Sequence, residues 1–190
     1  NLVLVGLDGN KLSDDDFPIN KAGFIIHSAI HQARPKDLHC VMHSHEVNSQ
    51  TLAASKSKLI PLTQEGCQLY ERVGYHEFNG IVLNDEEKEK LINAIGKEKH
   101  TLLMRNHGLI TAGPTAAWAF IRHQHFIRNA EVQLKLMASN AEMSIISDNI
   151  LKHTREQFEG GSAQAGAKVR HPEWPAFWRL LDTLDEKWKH

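Results

Sequence analysis

Two apolar runs of strand length, Thr101-Leu102-Leu103-Met104 and Leu109-Ile110-Thr111, stand only four residues apart, on either side of Arg105-Asn106-His107-Gly108. Four residues cannot hold the crossover that joins parallel strands, so a sheet containing both has a mixed rather than a strictly parallel order. Elsewhere strand-like and helix-like segments alternate. Phe24, Ile25, Ala29, Ile30 and Ala33 recur at helical spacing until Arg34-Pro35 stops them. Leu38 to Met42 then reads as a strand ending at His43, and Val47 to Ala54 as a helix. Leu59 to Leu62 and Gly80 to Leu83 read as two more strands, the first an edge because Pro61 has no ladder donor. Asn84 is expected to cap a helix with the acidic first turn Asp85-Glu86-Glu87 and Gly96 at its end. The longest helix runs from Thr115 to about Ala138, followed by a short helix near Asn149 to Phe158, a mobile-looking stretch from Gly160 to Gly166, and a last segment from Pro172 to Trp188. The pattern predicts an α/β sandwich with a mixed central sheet.

A chain of 190 residues suits one domain around one core. It opens abruptly in Leu2-Val3-Leu4-Val5, a strand-like run before the turn signal Asp8-Gly9. This reads as a chain joined partway through, with an N-terminal part of the fold lying outside it. No apolar run is long enough to cross a bilayer, and the formal net charge of -1 supplies no electrostatic reason to expect nucleic acid or an anionic membrane as partner. The expectation is a soluble cytoplasmic protein. Cys40 and Cys67 are the only cysteines, both in apolar surroundings, and are expected to be buried free thiols.

Thirteen histidines are unusual, because imidazole is the commonest nitrogen ligand for zinc, copper, iron and nickel. In His43-Ser44-His45 an extended backbone projects both rings to one face, with Cα atoms about 7 Å apart. Two such rings can converge on one ion. A third ligand must come from elsewhere, and Asn106-His107-Gly108 suits it because a glycine lets the backbone turn and approach closely. Three histidines leave an open coordination position for water or substrate. His123 and His125 share the one-residue spacing, but on a helix they face different ways and should not share an ion. His27 and His31, one helical turn apart, are expected at the sheet edge or in solvent.

Pro18-Ile19-Asn20-Lys21-Ala22-Gly23-Phe24, His27-Ser28-Ala29-Ile30, Ala33-Arg34-Pro35, Cys40-Val41-Met42-His43-Ser44-His45 and Arg105-Asn106-His107-Gly108-Leu109-Ile110-Thr111 together resemble the class II aldolase/adducin family, in its adducin-like bacterial branch. The resemblance implies a three-layer α/β/α sandwich, a homotetramer with sites near subunit boundaries, and zinc on His43, His45 and His107. It also implies a zinc-dependent lyase of aldolase or decarboxylase type acting on a small hydroxy-carbonyl compound such as a sugar phosphate or sugar acid. Gly23, typical of the adducin-like branch, falls where fuculose-phosphate-type aldolases carry a glutamate base. Glu46 and His27 are the candidate bases in its place, and Tyr75 is a candidate acid if a neighbouring subunit receives it. The alternatives are a non-catalytic binding module like the adducin head, or a metal-dependent epimerase or dehydratase on the same scaffold.

Overall fold

The computed structural model describes residues 2–81, 85–164 and 171–184, with backbone alone at residue 85 and at 161–164. The two runs around His107 form β3 (Thr101–Met104) and β4 (Gly108–Gly113) and pair antiparallel, Thr101 with Thr111 and Met104 with Gly108. The run before His43 forms β1 (Cys40–Ser44), antiparallel to β4 with Ser44 opposite Leu109, and β2 (Val73–His76) lies parallel to β3 on its other side. The order is β1-β4-β3-β2, a mixed sheet.

Helices cover both faces. Side chains alternate along the central strands, so Leu102, Met104, Ile110 and Ala112 pack with α1 (Lys21–Ala33) and α3 (Asp85–Ile95), through Ile26, Ile30, Leu91 and Ile95. Leu103 and Leu109 point the other way, onto Leu52 of α2 (Val47–Ala54) and Phe126 and Ala130 of α4 (Ala116–Ser139). This is the expected three-layer α/β/α arrangement, and it explains why every residue of β3 and β4 is buried. Two further helices follow, α5 (Asp148–Gln164) and α6 (Trp174–Leu184). No helix among the described residues is long and apolar enough to cross a membrane.

Three local expectations are corrected and one strand is added. Leu59 to Leu62 is not a strand, because side-chain amides of α4 take its backbone groups before a ladder can. Asn129 accepts from the Leu62 and Thr63 amides and donates to the Ile60 carbonyl, while Gln133 accepts from the Ile60 amide and donates to the Lys58 carbonyl. The Leu2 to Val5 run makes only an isolated bridge from Val5 to Lys11 across the Asp8-Gly9 turn, with Leu2 and Leu4 exposed. β2 was not foreseen, since Val73-Gly74-Tyr75-His76 lacks an apolar run and owes its extended form to pairing with β3. The short helix ending near Phe158 runs instead to Gln164, through Gly160, anchored by Arg155 on Glu71 and Arg72 on Glu159. The expected strand at Gly80 to Leu83 and the Asn84 cap fall largely outside the described residues. Cys67 is a buried free thiol as expected, and Cys40 is only partly buried.

Because Asn129 is fully buried and its amide serves three backbone groups of the 58–63 segment, Asn129→Ala leaves those groups without partners. A loss of about 2–4 kcal/mol is expected in urea unfolding; an unchanged midpoint would contradict this role of α4.

Candidate metal centre

The carboxyl end of β1 and the turn between β3 and β4 lie at the same end of the sheet, because those strands run antiparallel through β4. That topology brings His107 to His43 and His45 across more than sixty residues of chain. The three ring centroids are 4.8–4.9 Å apart in every pairing, and one ligand atom from each lies within 4.8 Å of the others. The Nε2 atoms of His43 and His45 are 3.0 Å apart. Nitrogens bound to one tetrahedral divalent ion at 2.0–2.1 Å stand about 3.3 Å from each other, so the donor set fits such an ion with little movement.

The surroundings prepare the rings as ligands. Nδ1 of His43 lies 3.0 Å from the Leu109 carbonyl, which can only accept, so the proton sits on Nδ1 and the Nε2 lone pair faces the centre. Burial first, then the neighbouring His107, His45 and His27, bring His43 down to about 4 against the raising effect of that carbonyl. Burial, then His45 and His76, also lower His107. Both are therefore neutral at pH 7, the form that binds metal. Asn106, at φ +54°, makes the turn that the sequence suggested Gly108 would make. Gly108 provides the close approach: a Cβ there would stand 2.4 Å from the Ser44 carbonyl and 2.9 Å from Cδ2 of His45. Arg105 fastens the same turn through the carbonyls of Ser55 and Ser57, and Gln50 donates to the His107 carbonyl.

The other candidate residues separate. His27 lies close enough to His43 to influence its protonation, and it lines a cavity of about 520 Å³ with Gly23, Phe24 and Leu4. The Glu46 carboxylate caps α2, accepting from the Ser49 amide at 2.9 Å and from the Asn48 side chain at 3.0 Å. Tyr75 lines a different cavity, where its hydroxyl accepts from the Leu59 amide and the Arg105 guanidinium lies 4.9 Å over its ring. His123 and His125 diverge as expected: His125 meets Gln68 and Glu173, whereas His123 meets Ser44 at 2.5 Å. The His123 contact was missed by sequence reasoning. It pins the residue between two of the three histidines from a position 79 residues away, and no local motif announces it.

The family model described as Class II Aldolase and Adducin N-terminal domain matches residues 1–134. The chain is 30% identical to rat alpha-adducin over 194 residues, covering 97% of this chain and 26% of that one. Among solved structures, an aldolase II superfamily protein from Pseudomonas syringae is 31% identical with a TM-score of 0.80, covering 96% of this chain and 70% of that one. The L-fuculose 1-phosphate aldolase from Glaciozyma antarctica is similar in fold, with a TM-score of 0.70 at 24% identity over 89% of this chain and 70% of that one. With the match spanning all three histidines and the sheet that brings them together, this chain belongs to the class II aldolase and adducin N-terminal domain family.

Proposed function

We propose that the chain is a divalent-metal-dependent lyase of aldolase or decarboxylase type, with zinc held by His43, His45 and His107 and a small hydroxy-carbonyl compound as substrate. The observation that carries this reading is the convergence of three imidazoles within 4.8 Å, one of them oriented by the Leu109 carbonyl and one, His45, facing solvent. A cation bound there supplies Lewis-acid stabilisation of charge developing on a carbonyl oxygen. The protein's own part is orientation and proton handling. The Leu109 carbonyl and the Ser44–His123 contact hold the β1 histidines in register, and the cavity beside α1 offers room for a small molecule. His27 is our choice for the proton acceptor, because Gly23 in the same cavity has no side chain and the Glu46 carboxylate is engaged at a helix end. Assembly as a homotetramer belongs to this proposal.

The test is metal analysis of the purified protein, followed by a screen of phosphorylated sugars and free sugar acids for metal-dependent carbon–carbon cleavage. Absence of bound zinc and of any metal-dependent turnover would remove the proposal. His27→Gln is expected to lower turnover by about 100-fold while leaving zinc stoichiometry unchanged, as removal of a general base does. A variant with full turnover would move the base elsewhere. A second reading, a binding module without catalysis, is favoured by the identity to alpha-adducin and by glycine at position 23. It predicts retained fold and metal with no turnover on any substrate.

A further inference from the structure

The opposite end of the sheet, where β1 and β3 begin and β4 ends, holds a second concave region. A cavity of about 690 Å³ opens there among Arg34, Arg72, His100, Arg122 and Glu159. A smaller one, about 180 Å³, shares His100, Arg122 and Glu159 with it and adds Arg155. None of the three clustered histidines lines either cavity.

We propose that this region binds a small phosphate-bearing anion, with Arg122 as the principal contact and Lys36 at the rim. The arginines differ in what they have left to offer. All three nitrogens of Arg34 are engaged, by Asp37 and by the carbonyls of Gly96 and Lys99, so it contributes mainly its field. Arg72 spends Nε and one terminal nitrogen on Glu159, while its buried Nη1 has no hydrogen bond and lies 3.6 Å from Glu98. Arg122 donates Nη1 to the Ala112 carbonyl and lies 5.1 Å over the Trp118 ring. Among the described residues no carboxylate pairs with it, and its Nε and Nη2 have no acceptor. A guanidinium with two free donors on a cavity wall presents the fork that tetrahedral oxyanions accept.

The surrounding charge favours the same occupant. The larger cavity is lined by one more cation than anions, and Arg155 in the smaller one adds another. Burial lowers Arg122 only to about 10, so it is cationic at neutral pH. His100 is buried with Nδ1 at 2.9 Å from the Thr101 hydroxyl, and burial followed by Arg122, Arg72 and Arg34 holds it well below the usual imidazole range. Arg122, Arg72 and Arg34 thus stand around that ring, with Asp37, Glu98 and Glu159 on the same lining, so the cavity carries both signs with a small cationic excess. A concave site of this volume has room for a metabolite-sized ligand.

The experiment is phosphorus NMR and calorimetric titration of the intact chain with inorganic phosphate at constant ionic strength, for the wild type and for Arg122→Gln, Arg122→Lys, Lys36→Ala and His45→Ala. Saturable binding is expected in the wild type, weakened at least about tenfold by Arg122→Gln, less by Arg122→Lys and Lys36→Ala, and unchanged by His45→Ala. Lys36 is exposed, so its variant decides the matter if the Arg122 variants fail to fold. No saturable binding, equal affinity in every foldable variant, or loss in His45→Ala alone would overturn the proposal. So would a change of oligomeric state in Arg122→Gln without phosphate binding by the wild type, which would mark a contact between copies of the chain.

Discussion

Replacing His45 by alanine is expected to lower zinc affinity by about 100-fold or more, so that zinc dialyses away where the unaltered protein retains it. The reason is the ligand count. His45 is the exposed member of the cluster, and its Nε2 stands 3.0 Å from that of His43. Two remaining imidazoles seldom hold the ion tightly, and water must fill the place of a nitrogen fixed in the fold. Among the described residues the His45 side chain makes no hydrogen bond that supports the sheet, so the apoprotein's unfolding midpoint should hardly move. His153→Ala, at an exposed position on α5, is the matched control. Elemental analysis after dialysis, paired with calorimetric titration, separates the outcomes. Equal zinc stoichiometry in His45→Ala and the wild type would end the three-histidine assignment and the lyase proposal with it.

Gly108→Ala is expected to damage both stability and the histidine cluster. The added methyl would stand 2.4 Å from the backbone oxygen of Ser44, which cannot swing aside as a flexible side chain would. β1 and β4 must part where Ser44 pairs with Leu109, and the same movement displaces His43 from the Leu109 carbonyl. A destabilisation of about 2–4 kcal/mol is expected in urea unfolding, together with weaker zinc binding. Gly160→Ala provides the contrast, because nothing lies within 4 Å of its would-be methyl and alanine favours the helix by up to about 1 kcal/mol. Equal stability of Gly108→Ala and the wild type would show that the strands adjust freely there.

Periodicity and local chemistry carried much of the architecture. The 3.6-residue spacing marked α4 within a residue and the C-terminal end of α1, whose start at Lys21 lies three residues before the first periodic position, and the acidic first turn and Gly96 bounded α3. The two-residue spacing of His43 and His45 put their rings on one face, because that relation depends only on extended backbone. Glu46 shows where such reading stops. Its nearness in sequence made it a candidate base, whereas the start of α2 at the next residue turned its carboxylate to the Ser49 amide. Tyr75 was harder still, since the strand that carries it has no sequence signal and its hydroxyl meets a segment sixteen residues earlier.

What the chain's residues determined alone was therefore local: a mixed α/β order, the long helix, and a pair of imidazoles aimed together at a strand's end. Tertiary structure decided the remainder, namely which carbonyl orients His43, that His123 bears on Ser44, that α4 amides displace a strand at Leu59 to Leu62, and that Arg122 reaches a cavity wall with no carboxylate paired to it among the described residues. Each of these joins groups sixty or more residues apart, or depends on what is missing nearby. Strand order and register create such meetings, and both emerge only when the two cores close on opposite faces of the sheet.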